Sequence, residues 1–87
     1  MSVKVDITLL QHLTNGVNVA TVNGSTVGQC LKHLIEQFPE LKLFDEDGEL
    51  LSYFNIYLNG ESPYPEGLQM PVKDGDELWI VTVLTGG

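Results

Sequence analysis

Arginine is absent from the 87 residues, and four lysines stand against twelve aspartates and glutamates, for a formal net charge of −8. Nucleic-acid binding draws its affinity from Lys and Arg neutralising phosphates, so this balance excludes a nucleic-acid partner. The same deficit argues against docking on an anionic membrane surface. Cysteine is scarce too: Cys30 stands alone, which leaves no intramolecular disulfide. The sequence shows neither a charged-then-apolar leader nor an apolar run of about 18 residues, and the cytoplasm is the expected location. Length is also short. A chain of this size buries only ~60% of its unfolded surface, leaving one modest core and little volume for a catalytic cavity, so an enzyme acting alone is not expected. What is present is globular in character: 43% hydrophobic and 18% charged residues suit a folded domain rather than a disordered chain. An acidic body suits solubility and steering toward a basic protein partner.

Neither a repeat nor a linker divides the chain, so residues 1–87 read as a single domain. Apolar and polar residues alternate from Val3 to Leu9, the period of a half-buried strand. The turn pair Asn15-Gly16 then leads to a second alternating stretch, Val17–Val22, and the two predict an antiparallel hairpin. The period changes next. Val27, Leu31, Leu34, Ile35 and Phe38 fall on one stripe of a helix, with Thr26 and Gln29 placed as a capping box and Pro39 as the stop. Residues 39–52 read as an irregular acidic insertion. Phe54, Ile56 and Leu58 alternate with Tyr53, Asn55 and Tyr57 in a third strand closed by Asn59-Gly60. Pro63, Pro65, Gly67 and Pro71 break the chain up to Asp74-Gly75-Asp76, which turns into a last strand from Glu77 to Leu84.

A hairpin, a crossover helix and a returning strand place the first and last strands together in the centre of one mixed sheet. The expected class is α+β, a ubiquitin-like β-grasp with four to five strands and one main helix on one face. In the last strand Leu78 and Ile80 point to the helix, while Trp79, Val81 and Val83 point away. That outer stripe is a candidate docking surface, against the plainer reading of scattered surface apolar groups.

The chain ends Leu84-Thr85-Gly86-Gly87. Several segments resemble the ubiquitin-like sulfur carriers, the family of the molybdopterin synthase small subunit and the thiamine-pathway carrier. They are Val3–Leu9, Ser25-Thr26-Val27, Leu58-Asn59-Gly60-Glu61, the run 68–72, Lys73-Asp74-Gly75-Asp76-Glu77-Leu78, and the terminal Gly86-Gly87. The resemblance implies a carrier, not an enzyme, whose Gly87 carboxylate is adenylated and then converted to a thiocarboxylate. It implies no cofactor bound by this chain; ATP and Mg would be used by a ubiquitin-activating-type adenylating enzyme. The other implied partners are a larger sulfur-acceptor synthase subunit and a sulfur donor such as a cysteine desulfurase. Sulfur delivery to molybdopterin is the leading expectation. Thiamine thiazole, cysteine or homocysteine synthesis, and conjugation to target proteins through Gly87 stay open. Indeed Val81–Thr85 stands where molybdopterin-type carriers usually have proline, and residues 39–52 exceed the usual thiamine-type insertion.

Elementary chemistry suits these residues to that role. Glycine at the last two positions lacks Cβ and lets a flexible tail, residues 84–87, thread a narrow channel. Five extended residues from Val83 span ~16 Å, enough to reach a buried active site while the body stays outside. Other residues have plainer readings. Cys30 lies beside the helix stripe as a small buried hydrophobe. His12 and His33 read as surface residues, with no metal-ligand spacing around them. Asp45-Glu46-Asp47-Gly48 lacks the ligand spacing of a calcium loop, since Gly follows the second Asp directly and Ile56 occupies the twelfth position.

Overall fold

In the computed structural model, which describes residues 2–52 and 54–82, four strands form one mixed sheet with a single α-helix on one face. The strands are β1 (Ser2–Asp6), β2 (Val19–Asn23), β3 (Phe54–Leu58) and β4 (Glu77–Thr82), and the helix is α1 (Val27–Gln37). Their spatial order is β2-β1-β4-β3, so the first and last strands are central as the element order predicts. Strand β1 runs antiparallel to β2 and parallel to β4, and β3 runs antiparallel to β4. This is the expected β-grasp.

Alternation explains the core. Val3 and Val5 of β1, Ala20 and Val22 of β2, Phe54, Ile56 and Leu58 of β3, and Leu78 and Ile80 of β4 are all buried on the helix side. Against them α1 places Val27, Cys30, Leu31 and Leu34, with Ile35 and Phe38 half-buried at the margin of the stripe. Each fully buried aliphatic side chain contributes about 1.5–3 kcal/mol of transfer free energy, which is how so short a chain holds its shape. Gly28, buried in the first turn of α1, admits the carbonyl of Leu68, which a Cβ there would meet at 3.1 Å.

Helix α1 starts where its cap chemistry predicts. The Thr26 hydroxyl accepts from the Gln29 N–H at 3.2 Å, but the Gln29 side chain accepts from the Ser25 N–H at 2.8 Å instead of closing on Thr26. The N-cap is held differently: residues 70–72 lie against it, the Val27 N–H donating to the Met70 carbonyl and the Val72 N–H to the Ser25 carbonyl. The helix ends at Gln37, ahead of Pro39.

Three expectations need correction. The first strand stops at Asp6, not Leu9, because the Asp6 carboxylate accepts from the Thr8 N–H at 3.0 Å and turns the chain into a 3-10 helix, Thr8–Leu13. The second strand accordingly begins at Val19, although Asn15 and Gly16 do take the left-handed angles (φ 55° and 82°) expected of their turn. The insertion 39–52 is not simply irregular: Leu41 and Leu43 are fully buried, and a Phe44–Leu50 bridge closes a small acidic hairpin after them. The Asp45 carboxylate caps that hairpin by accepting from the N–H groups of Asp47 and Glu49, the solvated turn expected in place of a calcium loop. Among the described residues no helix is long and apolar enough to cross a membrane.

Candidate functional site

The helix covers one face of the sheet and leaves the other open. Because β residues alternate, the open face carries Ser2, Lys4 and Asp6 from β1, Val19, Thr21 and Asn23 from β2, Asn55 and Tyr57 from β3, and Glu77, Trp79 and Val81 from β4. One row crosses all four strands: Tyr57 is opposite Trp79, Trp79 opposite Asp6, and Asp6 opposite Val19. Trp79 is 46% exposed and its two neighbours on β4, Leu78 and Ile80, are 0% and 1% exposed, so the expected division of that strand is the one observed. Val81 is half-buried on the open side, opposite Asn55. Val83, the third member of the expected stripe, and the tail residues Leu84, Thr85, Gly86 and Gly87 lie outside the described residues.

Trp79 is anchored, not adrift. Its indole N–H donates to the Glu77 carboxylate two residues back on the same face, which satisfies the polar edge of the ring and leaves its apolar surface free for contact. Trp79, Tyr57, Val81 and Gly60 line a shallow apolar depression of about 290 Å³. Periodicity named Trp79 and Val81 but missed Tyr57 and Gly60. The signal for Tyr57 was its outward phase in β3; Gly60 required knowing that the Asn59-Gly60 turn folds beside β4.

That turn and the one before β4 are a single structure. Asn59 and Gly60 take left-handed angles (φ 52° and 84°), and Leu58 and Glu61 bond each other across them. The Asn59 side chain then reaches the other turn, donating to the Asp76 carboxylate at 3.1 Å and accepting from the Glu77 N–H at 3.0 Å. The other oxygen of Asp76 accepts from the Lys73 N–H at 2.7 Å, and the Asp74 carboxylate accepts from the Ser2 N–H at 2.8 Å. The Lys73 backbone N–H, helped by the Asn59 amide and the Lys73 charge, holds the Asp76 carboxyl below its ordinary 3.8. The motif Lys73-Asp74-Gly75-Asp76-Glu77 is therefore a clamp that sets the start of β4.

Other chemically capable groups are occupied elsewhere. Cys30 is fully buried, and burial pushes its thiol pKa up, away from the reactive thiolate. His33 is half-buried rather than a free surface residue, its Nδ1 accepting from the Asn23 N–H at 2.8 Å, while His12 is exposed as expected. Among the described residues no group of three or more His, Cys, Asp or Glu is placed to hold a metal ion.

Comparison with known proteins places these features in context. Residues 9–87 match the family model described as the ThiS family. A protein of Archaeoglobus fulgidus named for a sulfur-carrier role is 43% identical over 47 residues, a match spanning about half of this chain and half of that relative. Small archaeal modifier protein 1 of Haloferax volcanii is 34% identical over 73 residues, covering 82% of this chain and 80% of that one. Its crystal structure superposes over the whole of both chains with a TM-score of 0.85 at 29% identity. A chain in the crystal structure of the Amycolatopsis orientalis BexX/CysO complex superposes at a TM-score of 0.83, with 31% identity over 98% of this chain and 99% of that one.

Proposed function

This chain belongs to the ThiS family, and from that premise we propose that it is a sulfur carrier activated at its own carboxyl end, Gly87. The observation that supports this reading most is the family match running from residue 9 to the terminal Gly86-Gly87, on a body whose open face carries a small apolar depression at Trp79.

The chemistry follows from the end group. An α-carboxyl titrates at ~3.3–3.7, so at neutral pH it is an anion and a poor electrophile. Its oxygen attacks the α-phosphorus of ATP in a ubiquitin-activating-type adenylating enzyme; pyrophosphate leaves, and AMP becomes the leaving group on the Gly87 carbonyl. A sulfur donor such as a cysteine desulfurase presents its sulfur as a persulfide, whose outer sulfur displaces AMP to give an acyl disulfide. A second thiol then attacks the donor's sulfur, forms a disulfide with it and releases the thiocarboxylate. That soft, ionised nucleophile then attacks an acceptor held in a larger synthase subunit. This chain is the co-substrate in each step. Its own contribution is recognition: the Trp79, Val81 and Val83 stripe docks, and the acidic body speeds encounter with a basic partner face. The molybdopterin precursor is the acceptor we put first, while thiamine thiazole or cysteine and homocysteine synthesis use the same carrier chemistry. Which purified synthase discharges the thiocarboxylate decides among them.

Mass spectrometry tests the carrier reading. After incubation with the cognate activating enzyme, ATP and a sulfur source, the intact protein should gain the mass of one sulfur in exchange for one oxygen. No gain under competent conditions refutes it. Deleting Gly87, or adding one residue after it, should abolish the gain while leaving the unfolding temperature unchanged.

A second reading is favoured by the likeness to small archaeal modifier protein 1, which extends over 82% of this chain. The same adenylate, attacked by a lysine amine instead of sulfur, would join Gly87 to target proteins. A ladder of heavier conjugates on an immunoblot, lost on deletion of Gly87, is its signature.

A further inference from the structure

The sheet has two edges, and β2 forms one of them. Strand β2 reads Val19-Ala20-Thr21-Val22-Asn23, with no charged residue, no proline and no bulge in its pairing with β1. Those are the usual devices by which an edge strand discourages another chain from pairing with it, and β2 has none of them.

Backbone groups of alternate β2 residues face outward. Lys4 turns its N–H toward β4, donating to the Asp76 carbonyl at 3.0 Å, so its partner Thr21 directs its own N–H and C=O away from β1. Val19 and Asn23 share that phase. Two of these outward groups are covered by side chains from α1, one turn apart on the helix. The Gln37 amide donates to the Thr21 carbonyl at 2.8 Å, and His33 Nδ1 accepts from the Asn23 N–H at 2.8 Å. Neither bond is needed to form the sheet. Both occupy the positions that an added strand would use.

We propose that His33 and Gln37 guard the β2 edge, and that the unguarded edge is a strand-addition surface for a second copy of this chain. The pattern is self-complementary. A second β2 laid antiparallel about Thr21 would pair Thr21 with its counterpart and Val19 with Asn23, joining each outward N–H to a carbonyl. The net charge of −8 on each copy opposes this association, and salt would weaken that opposition. A guard of this kind keeps the chain monomeric, with its open sheet face uncovered.

Light scattering coupled to size exclusion of H33A/Q37A against the wild-type chain tests the proposal. The wild type should remain a monomer across concentration. The double variant should approach twice that mass as concentration rises, and more readily at high salt. Adding T21P, which removes an outward N–H that the sheet does not use, should restore the monomer. A double variant that stays monomeric, or a dimer indifferent to T21P, overturns the proposal. Amide hydrogen exchange on the wild-type chain gives a measurement free of any folding defect: the Asn23 N–H should be protected and the Thr21 N–H should exchange fast. Equal, fast exchange at both positions overturns the guard.

Discussion

The two faces of the sheet are made by the same four strands, yet they do different work. Facing α1, residues such as Val5, Ile56, Leu78 and Ile80 are buried and chemically uniform. On the opposite face Lys4, Asp6, Tyr57, Glu77 and Trp79 mix charge with aromatic surface, and the largest apolar group stays half in water. A single residue of phase separates the two roles in β4. The lesson is that burial and exposure alternate within one strand, so that the outer face can be altered while the core is kept.

Substitutions on the helix side should be the most damaging to the fold. Leu78→Ala leaves a cavity between β4 and α1 and should cost about 2–5 kcal/mol, read as a shift in the denaturant midpoint. If Leu78→Ala proves no more harmful than a surface change, the division of faces is wrong. Trp79→Ala is the matched probe one residue on. It should weaken binding to the activating enzyme by about 2 kcal/mol, roughly 30-fold by titration calorimetry, as expected of a buried aromatic anchor. Its effect on stability should stay below about 1 kcal/mol. A Trp79→Ala protein with full affinity would remove the open face from the account.

The paired turns at one end of the sheet offer a finer probe, since they serve both faces by setting where β4 begins. Asn59→Ala breaks two bonds to Asp76 and Glu77 and should cost about 1–2 kcal/mol in thermal or chemical unfolding. Smallest of all is a pH effect. Asp76 has its pKa lowered in the folded state by the Lys73 N–H and the Asn59 amide, so the unfolded chain binds the proton more readily. Its stabilisation is present above the ordinary 3.8 and is lost as pH falls from there through the lower folded value. Asp76→Asn should flatten that acid limb of the stability curve, and an unchanged limb would mean the carboxylate is not held by the turn.

Much of this was legible along the chain because it depends on neighbours a few residues away. The α1 stripe, the Thr26 cap, the Asn59-Gly60 turn and the inward phase of Leu78 and Ile80 all follow from local periodicity and dihedral preference. Other features were not. Asp6 ending β1 by capping Thr8 looks in sequence like one more polar residue in an alternating strand. Leu41 and Leu43 carried a short apolar alternation, but in so acidic and turn-rich a stretch it did not read as core. His33 and Gln37 gave no signal, because their partners belong to a strand that ends four residues before the helix begins and returns alongside it only when the sheet forms.

Composition and order alone determined an acidic, arginine-free chain, its strand, strand, helix, strand, strand succession, and the side-chain-free Gly86-Gly87 pair on which the proposed chemistry rests. These rest on period, charge and turn chemistry, which act over a few residues. Tertiary structure decided which polar groups are spoken for. It joined Asn59 to Asp76, closed Glu77 on the Trp79 indole, and laid two helix side chains over the β2 edge. A hydrogen bond depends on distance and direction to within tenths of an ångström, and only the folded chain brings residues remote in sequence that close.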